Sequence, residues 1–301
     1  MAAPRTPSRV IILGHTGFIG GNLIRSLNTC NPDVEVIGIS KADIDLEDDS
    51  APPRLARMFD AHSAVVMCAA IKRQSGDTPR SFLRNVAMVT HLCEAVAISP
   101  PGRLLFLSSA AVYGEDIENP AITEATALHP RSHYGLSKLA GEWILSRTFE
   151  RFPDSSLVLL RPATIYGPND HVASYGPLGF IRSALRREAV KLWGDGSEFR
   201  ELILIDDAVE LIRRILFLSH SGPINLVSGR SYSFREILQS VEKCIGRDIP
   251  TTSMPRTKNK VDNIFHNGLL TSLVPGFCFT PLAEGVRLTI ARDRHPGESA
   301  Q

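Results

Sequence analysis

Residues 10–20 read Val10-Ile11-Ile12-Leu13-Gly14-His15-Thr16-Gly17-Phe18-Ile19-Gly20. A β-branched apolar run stops at glycine, and an amphipathic helix carrying Ile19, Leu23, Ile24 and Leu27 begins within the next few residues. Each glycine meets a separate physical need. The first permits a tight turn, the second lets backbone approach an anion, and the third lets the helix pack closely on the strand. Free N–H groups and the positive end of the helix dipole then point at whatever anion lies there. Between a strand and a helix, Gly14, Gly17 and Gly20 form the expected cradle for a dinucleotide pyrophosphate, and Thr16, Phe18 and Ile19 stand within that turn.

Outward from this turn the pattern repeats. Buried strands are predicted at 34–39, 63–67, 103–107 and 157–160, with helices at 81–97 and 134–152 between them. The first of these helices places Phe82, Val86, Val89, Leu92, Cys93 and Val96 on one stripe, and Pro100-Pro101-Gly102 ends it. Strand and helix in alternation mean a parallel, doubly wound sheet with right-handed crossovers, whose ligands lie beyond the carboxyl ends of the strands. Past Gly167 the rhythm loosens. Short strands are expected at 190–193 and 199–205, and helices at 178–187, 206–218, 233–245 and 282–290. The organisation expected is a dinucleotide-binding domain over 8–166, with a return of about 199–228 to its sheet, and a smaller, partly interleaved α/β substrate lobe over 167–293. Residues 1–8 and 294–301 should be frayed.

Composition narrows the function classes. The 301 residues are 43% hydrophobic and 22% charged, ordinary values for a globular protein. A net charge of +1 provides no global field for gripping nucleic acid. Cys30, Cys68, Cys93, Cys244 and Cys278 are scattered and form no CxxC pair, which favours a reducing compartment over disulfides or zinc. No signal-like or membrane-spanning run is present, so a soluble cytoplasmic protein without a membrane partner is expected.

The end of the second strand bears on which dinucleotide binds. A plain NAD site usually places a carboxylate there for the ribose 2′-hydroxyl. Here stand Ser40 and Lys41, a hydroxyl and a cation that suit a 2′-phosphate and favour NADP over NAD. The competing reading leaves Lys41 as solvated surface and lets Asp43 or Asp45 reach back to the ribose. Asp45 and Leu46 are candidates for the adenine edge of the pocket.

The stretch Tyr134-Gly135-Leu136-Ser137-Lys138 carries the chemistry. It opens a helix whose apolar positions Leu136, Leu139, Ala140, Trp143 and Ile144 are spaced for one buried face. Tyr134 and Lys138, four apart, share a face one turn from each other. A phenol with an unperturbed pKa of about 10 is a poor base at neutral pH, and a neighbouring ammonium favours its phenolate. Such a pair can move a hydroxyl proton while a nicotinamide handles the hydride. Ser109, at the end of the strand closing with Leu107, can hydrogen-bond the same substrate oxygen.

These residues resemble the extended short-chain dehydrogenase/reductase superfamily, in its nucleotide-sugar epimerase/dehydratase/reductase group. The resemblance runs through GHTGFIG at 14–20, Cys68-Ala69-Ala70, Asn85, SSAAVYG at 108–114, and HPRSHYGLSK at 129–138. It continues in RPATIYGP at 161–168, GDGSEFRE at 194–201, and Asp206-Asp207. It implies a Rossmann-type fold and a nucleotide-activated sugar as substrate. Ser109, Tyr134 and Lys138 become the catalytic set. Cys68, Ala69, Ala70, Asn85 and Leu107 join the cofactor cleft, Lys138 also meets the nicotinamide ribose, and Pro162, Thr164 and Ile165 flank the nicotinamide. Ser109, Ala110, Thr164 and Arg200 would face substrate, with Arg200 on its diphosphate; an ion pair of Arg200 with Glu198 or Glu201 is the competing reading. The family often dimerises through helices matching 81–97 and 134–152, where Cys93 and Trp143 would serve an interface or the core.

Departures from the family narrow the reaction. Related 4,6-dehydratases carry an acidic pair where this chain has Ala110-Ala111, and the GDP-fucose synthase branch has a cysteine at the Ala110 position. Reduction of a keto-sugar nucleotide and 4-epimerisation remain, and Ser40-Lys41 favours the NADPH-dependent reductase. His129 and His133 have metal-pair spacing, but Pro130 intervenes and no third ligand is evident, so no metal is expected. Cys68 is read as packing, because no basic partner for a nucleophile is identifiable. The loops at about 167–180 and 255–280 would set sugar and base specificity.

Overall fold

The computed structural model describes residues 6–114, 119–170, 176–256 and 260–293. Its first half runs β1 (Arg9–Leu13), α1 (Phe18–Cys30), β2 (Glu35–Ile39), α2 (Ala51–Ala56), β3 (Ser63–Met67), α3 (Pro79–Ile98), β4 (Arg103–Leu107), β5 (Asn119–Ile122), α4 (His133–Phe149) and β6 (Ser156–Pro162). The second half runs β7 (Thr164–Tyr166), α5 (Pro177–Leu185), β8 (Val190–Trp193), β9 (Phe199–Leu204), α6 (Ile205–Ile215) and β10 (Gly222–Leu226). Then come β11 (Ser231–Ser233), α7 (Phe234–Ile245), β12 (Thr251–Met254), β13 (Asn263–Phe265), α8 (Gly268–Leu273) and α9 (Leu282–Arg292).

Six strands form one parallel sheet in the order β10-β6-β4-β3-β1-β2. Alternate residues of each central strand serve opposite faces, which is why these strands read as unbroken apolar runs. Ile11, Val65, Leu104 and Phe106 pack with Leu55, Leu92 and Leu145 of α2, α3 and α4. Val10, Ile12, Val66 and Leu105 pack on the other side with Leu23, Ile212 and Leu270 of α1, α6 and α8. Helices on both faces make this the Rossmann-type doubly wound fold. Strand order reverses between β1 and β3, and the cleft opens at the carboxyl end of that junction. Within 199–228, β10 pairs with β6 at the edge of the main sheet, whereas β9 lies between β7 and β11 in a separate three-stranded sheet. Around that smaller sheet Ile181, Leu202, Leu204, Ile237, Val241 and Val286 form a third core.

Two expectations change. The predicted apolar face of α4 is turned: Leu136 is 45% and Trp143 66% exposed, while Leu139, Ala140 and Ile144 are only half-buried. The inward face carries Gly135, Ser137, Lys138, Gly141, Glu142 and Leu145 instead. Close approach explains it. A Cβ on Gly141 would lie 2.8 Å from the Phe106 ring, and the inward charges find partners described below. Fraying also ends earlier than Ser8, whose N–H donates to the His62 carbonyl and whose carbonyl accepts from the Glu35 N–H. Residues 1–5, 171–175, 257–259 and 294–301, where other frayed or specificity segments were expected, lie outside the described residues. Among the described residues no helix is long and apolar enough to cross a membrane.

Candidate active site

The glycine turn is built as its spacing requires. Gly14 has φ +87°, and its N–H donates to the Ile39 carbonyl at 2.8 Å, joining the turn to β2. A Cβ on Gly14 would lie 2.8 Å from the backbone nitrogen of Ala69, so β1 and β3 converge here only with glycine. A Cβ on Gly20 would lie 2.5 Å from the Gly14 carbonyl oxygen, which fixes how closely α1 packs on the turn. Gly17 starts α1 and supplies no capping side chain, leaving the first-turn N–H groups available to an anion. Phe18 and Ile19 face the cavity. These features fit a dinucleotide pyrophosphate.

At the end of β2, Ser40 donates both its N–H (2.8 Å) and its hydroxyl (2.6 Å) to the Asp43 carboxylate. Those two bonds hold the Asp43 carboxyl below its usual range. Lys41 pairs with Asp45 at 3.2 Å and Glu47 at 3.4 Å. The Leu46 side chain is buried in the main core, and its carbonyl meets His91 Nδ1 at 2.8 Å.

After β3, Cys68, Ala69 and Ala70 follow the strand end. Burial pushes the Cys68 thiol up to about 12, which leaves it a thiol at neutral pH. Asn85 stands behind this segment. Its Oδ1 accepts from the Ile71 N–H at 2.8 Å, and its Nδ2 donates to the Ile71 carbonyl and to Ser137 Oγ. It shapes the cleft wall by holding Ile71 to Ser137 of α4.

The catalytic candidates meet at the carboxyl end of β4. Ser109 follows the strand, and its Oγ accepts from the Ala111 N–H at 3.1 Å, capping a single 3₁₀ turn over Ala110–Tyr113. α4 starts beside it, with Ser132 accepting from the Gly135 N–H and Asp77 Oδ1 accepting from the Tyr134 N–H at 2.9 Å. Lys138 is 4% exposed; its Nζ donates to the Leu107 carbonyl at 2.6 Å and lies 5.8 Å from the Tyr134 ring centre. Desolvation lowers the Lys138 ammonium to about 8, and the charge of the Glu142 carboxylate acts in the opposite direction.

Ser109, Ala110, Tyr134, Pro162, Thr164 and Ile165 line one cavity of about 900 Å³. Arg200 lies on its far wall, donating to Glu198 at 2.6 Å and to the carbonyls of Phe199 and Val261 at 2.7 Å. Both readings of Arg200 thus meet in one place: it faces the cavity and is ion-paired with Glu198, while Glu201 is occupied by Ser228, Gly229 and Ser231. Sequence reasoning missed Arg256, which also lines the cavity and pairs with Glu198 and Asp195. Its signal was the basic run 256–260 inside a suspected specificity loop. Lys72 and Lys191 on the cavity wall had no signal beyond charge. His129 and His133 flank the start of α4, and among the described residues no group of three or more His, Cys, Asp or Glu side chains is arranged to hold a metal ion.

The comparisons agree with this architecture. The chain is 25% identical over 254 residues to a GDP-L-fucose synthase of Sinorhizobium fredii, covering 79% of this chain and 80% of that protein. It is 31% identical over 241 residues to a dTDP-glucose 4,6-dehydratase of Mycobacterium tuberculosis, covering 73% of this chain and 72% of the relative. Among solved structures, the Thermus thermophilus UDP-glucose 4-epimerase in complex with NAD superposes with a TM-score of 0.81 at 25% identity, covering 94% of this chain and 98% of the other. With residues 10–226 matching the family profile, the chain belongs to the NAD dependent epimerase/dehydratase family.

Proposed function

We propose that the protein is an NAD(P)-dependent oxidoreductase that moves a hydride at a carbon of a nucleotide-activated sugar, with Ser109, Tyr134 and Lys138 as its catalytic set. The observation that carries this reading is the convergence of Ser109 and Tyr134 on one cavity with Lys138 buried behind them. The bound nicotinamide would supply or accept the hydride. The chain handles the proton. Ser109 orients the sugar oxygen, Tyr134 gives or takes its proton, and Lys138 favours the phenolate across the shared helical turn. Phe18, Ile19, Pro162, Thr164 and Ile165 would enclose the cofactor, and Arg200 and Arg256 would meet the substrate diphosphate as guanidinium forks.

Two reactions fit this set: reduction by exchangeable NADPH, and 4-epimerisation with retained NAD. The Ser40–Lys41 sequence favours the first. The Ser40–Asp43 hydrogen bonds favour the second, because a 2′-phosphate at Ser40 would face the Asp43 carboxylate while Lys41 is engaged by Asp45 and Glu47. Exposed Trp143 and Leu136 on α4 and Leu83, 63% exposed, on α3 support a homodimer across these two helices, with Cys93 in the core instead. Sedimentation of the wild type and Trp143→Lys tests that assembly: the expected result is a dimer that Trp143→Lys weakens, and a monomeric wild type refutes it.

The function is tested by releasing bound nucleotide from purified protein, identifying it by mass, and assaying UDP-, GDP- and dTDP-sugars with and without NADPH. Turnover that Tyr134→Phe abolishes while cofactor affinity persists is the expected result. Absence of turnover by the wild type on every sugar nucleotide overturns the reading.

A further inference from the structure

Behind the cavity wall lies a buried polar cluster that the proton chemistry does not use. Glu142 sits one turn beyond Lys138 on the inward face of α4 and is clamped by Arg161, with Nε at 2.9 Å from one carboxylate oxygen and Nη2 at 2.7 Å from the other. Both side chains are about 5% exposed or less. Ser108 donates its hydroxyl to the same carboxylate at 2.5 Å. Arg161 also donates to Tyr113 Oη at 2.9 Å, Tyr113 donates to Asn225 Oδ1, and the Asn225 N–H donates to Glu124. Three elements therefore meet on one carboxylate–guanidinium pair, α4, the turn after β4 and β6, and Tyr113 extends the cluster to Asn225 of β10.

A buried ion pair is a poor source of net stability, since desolvation offsets most of its attraction and apolar side chains of similar volume would serve. Its placement is more informative. Ser108 precedes Ser109 and Arg161 precedes Pro162, both of which line the cavity, and Glu142 follows Lys138, behind that cavity, by one helical turn. We propose that Glu142 is a positioning residue: held by Arg161 and Ser108, it locks α4 to the serine turn and to the strand end at Pro162, and sets a carboxylate one helical turn beyond Lys138. This rests on the functional reading of Tyr134 and Lys138 given above. The titratable or charged groups acting on Lys138 are Cys68 after β3 and Tyr134 and Glu142 on its own helix; those around Glu142 are Arg161, Tyr113 and Glu124.

Two variants test it. Glu142→Gln/Arg161→Met removes both charges together, and Ser108→Ala removes one anchor without unbalancing charge. The Lys138 titration is followed in ¹³C-lysine-labelled protein as purified, with its resonance assigned by its loss in Lys138→Met. The double variant is expected to lower the Lys138 midpoint by about half a unit or more, and to lower kcat about tenfold or more with KM changed little. Ser108→Ala should shift both in the same direction by less. A folded double variant with wild-type midpoint and wild-type kcat overturns the proposal and leaves the pair a purely structural one. If the double variant does not fold, an unchanged midpoint and kcat in Ser108→Ala overturn it instead. Should the wild type turn over no sugar nucleotide, the functional reading fails, and the Lys138 midpoint still decides this proposal.

Discussion

Gly135 lies directly against Ala111: a Cβ on Gly135 would sit 2.7 Å from the Ala111 carbonyl oxygen. The start of α4 and the turn after Ser109 can touch only because position 135 has no side chain. That contact bears on the spacing between the Ser109 hydroxyl and the Tyr134 phenol, which the proposed shared substrate oxygen would have to fit. Gly135→Ala is therefore expected to keep the fold, by circular dichroism and by cofactor binding, while kcat falls by about a hundredfold. A Gly135→Ala protein with wild-type kcat would show that the serine turn tolerates the displacement and that the alignment is loose.

The Ser40–Asp43 pair makes a prediction about cofactor choice. A phosphate placed on Ser40 would face a carboxylate whose two hydrogen bonds favour its charged form. The wild type is expected to bind NADH about tenfold or more tightly than NADPH, and Asp43→Asn should narrow that gap while leaving the fold intact. Fluorescence titration with the two reduced cofactors decides it. Tighter NADPH binding by the wild type would mean that Lys41 leaves Asp45 and Glu47 for the 2′-phosphate.

Much of this was legible in the chain because it depends on local rules. A strand, three spaced glycines and a helix specify the pyrophosphate turn wherever they occur, and the unbroken runs at 63–67 and 103–107 announce strands buried on both faces. What could not be read depends on partners distant in sequence. The face of α4 was misjudged because periodicity ranks Leu136 and Trp143 above Lys138 and Glu142 as inward residues. Arg161, 19 positions beyond Glu142, and Ser108, 34 positions before it, make a buried carboxylate tolerable there. Arg256 escaped for a similar reason: the basic run 256–260 announces its charge, but its approach to Glu198 spans 58 positions. The Ser40–Asp43 bond, by contrast, is only three residues long and lies within reach of local side chain–backbone bonding.

Lys138 gives a pH dependence with a definite sign. Burial lowers its ammonium to about 8 from 10.5, so the charged form that supports the Tyr134 phenolate is lost above that pH. The alkaline limb of kcat/KM is expected near pH 8, and Lys138→Met should remove the limb together with most of the activity. Stability runs the opposite way. Between about 8 and 10.5 the unfolded chain holds a proton that the folded chain has released, so this group alone makes the fold more stable as pH rises through that window. Urea unfolding of the wild type and Lys138→Met across this range checks the sign: a wild type that loses stability relative to the variant with rising pH contradicts it.

Thiol accessibility separates a packed Cys68 from a reactive one. Cys30, Cys244 and Cys278 are exposed, whereas burial pushes the Cys68 thiol up to about 12 and the Cys93 thiol up to about 11. Since the thiolate is the nucleophile, alkylation of the native protein at pH 8 should stop at three adducts, at Cys30, Cys244 and Cys278. Cys244 should react more slowly than the other two, because partial burial raises its thiol and its sulfur approaches the Ala283 carbonyl at 3.5 Å. Cys68 and Cys93 should be modified only on unfolding, and bound cofactor should make no difference to the count. Peptide mapping of the alkylated protein gives the answer residue by residue. Early modification of Cys68, blocked by NAD and accompanied by loss of turnover, would place a reactive thiolate beside the cofactor and call for a covalent step that the Ser109, Tyr134 and Lys138 chemistry does not contain.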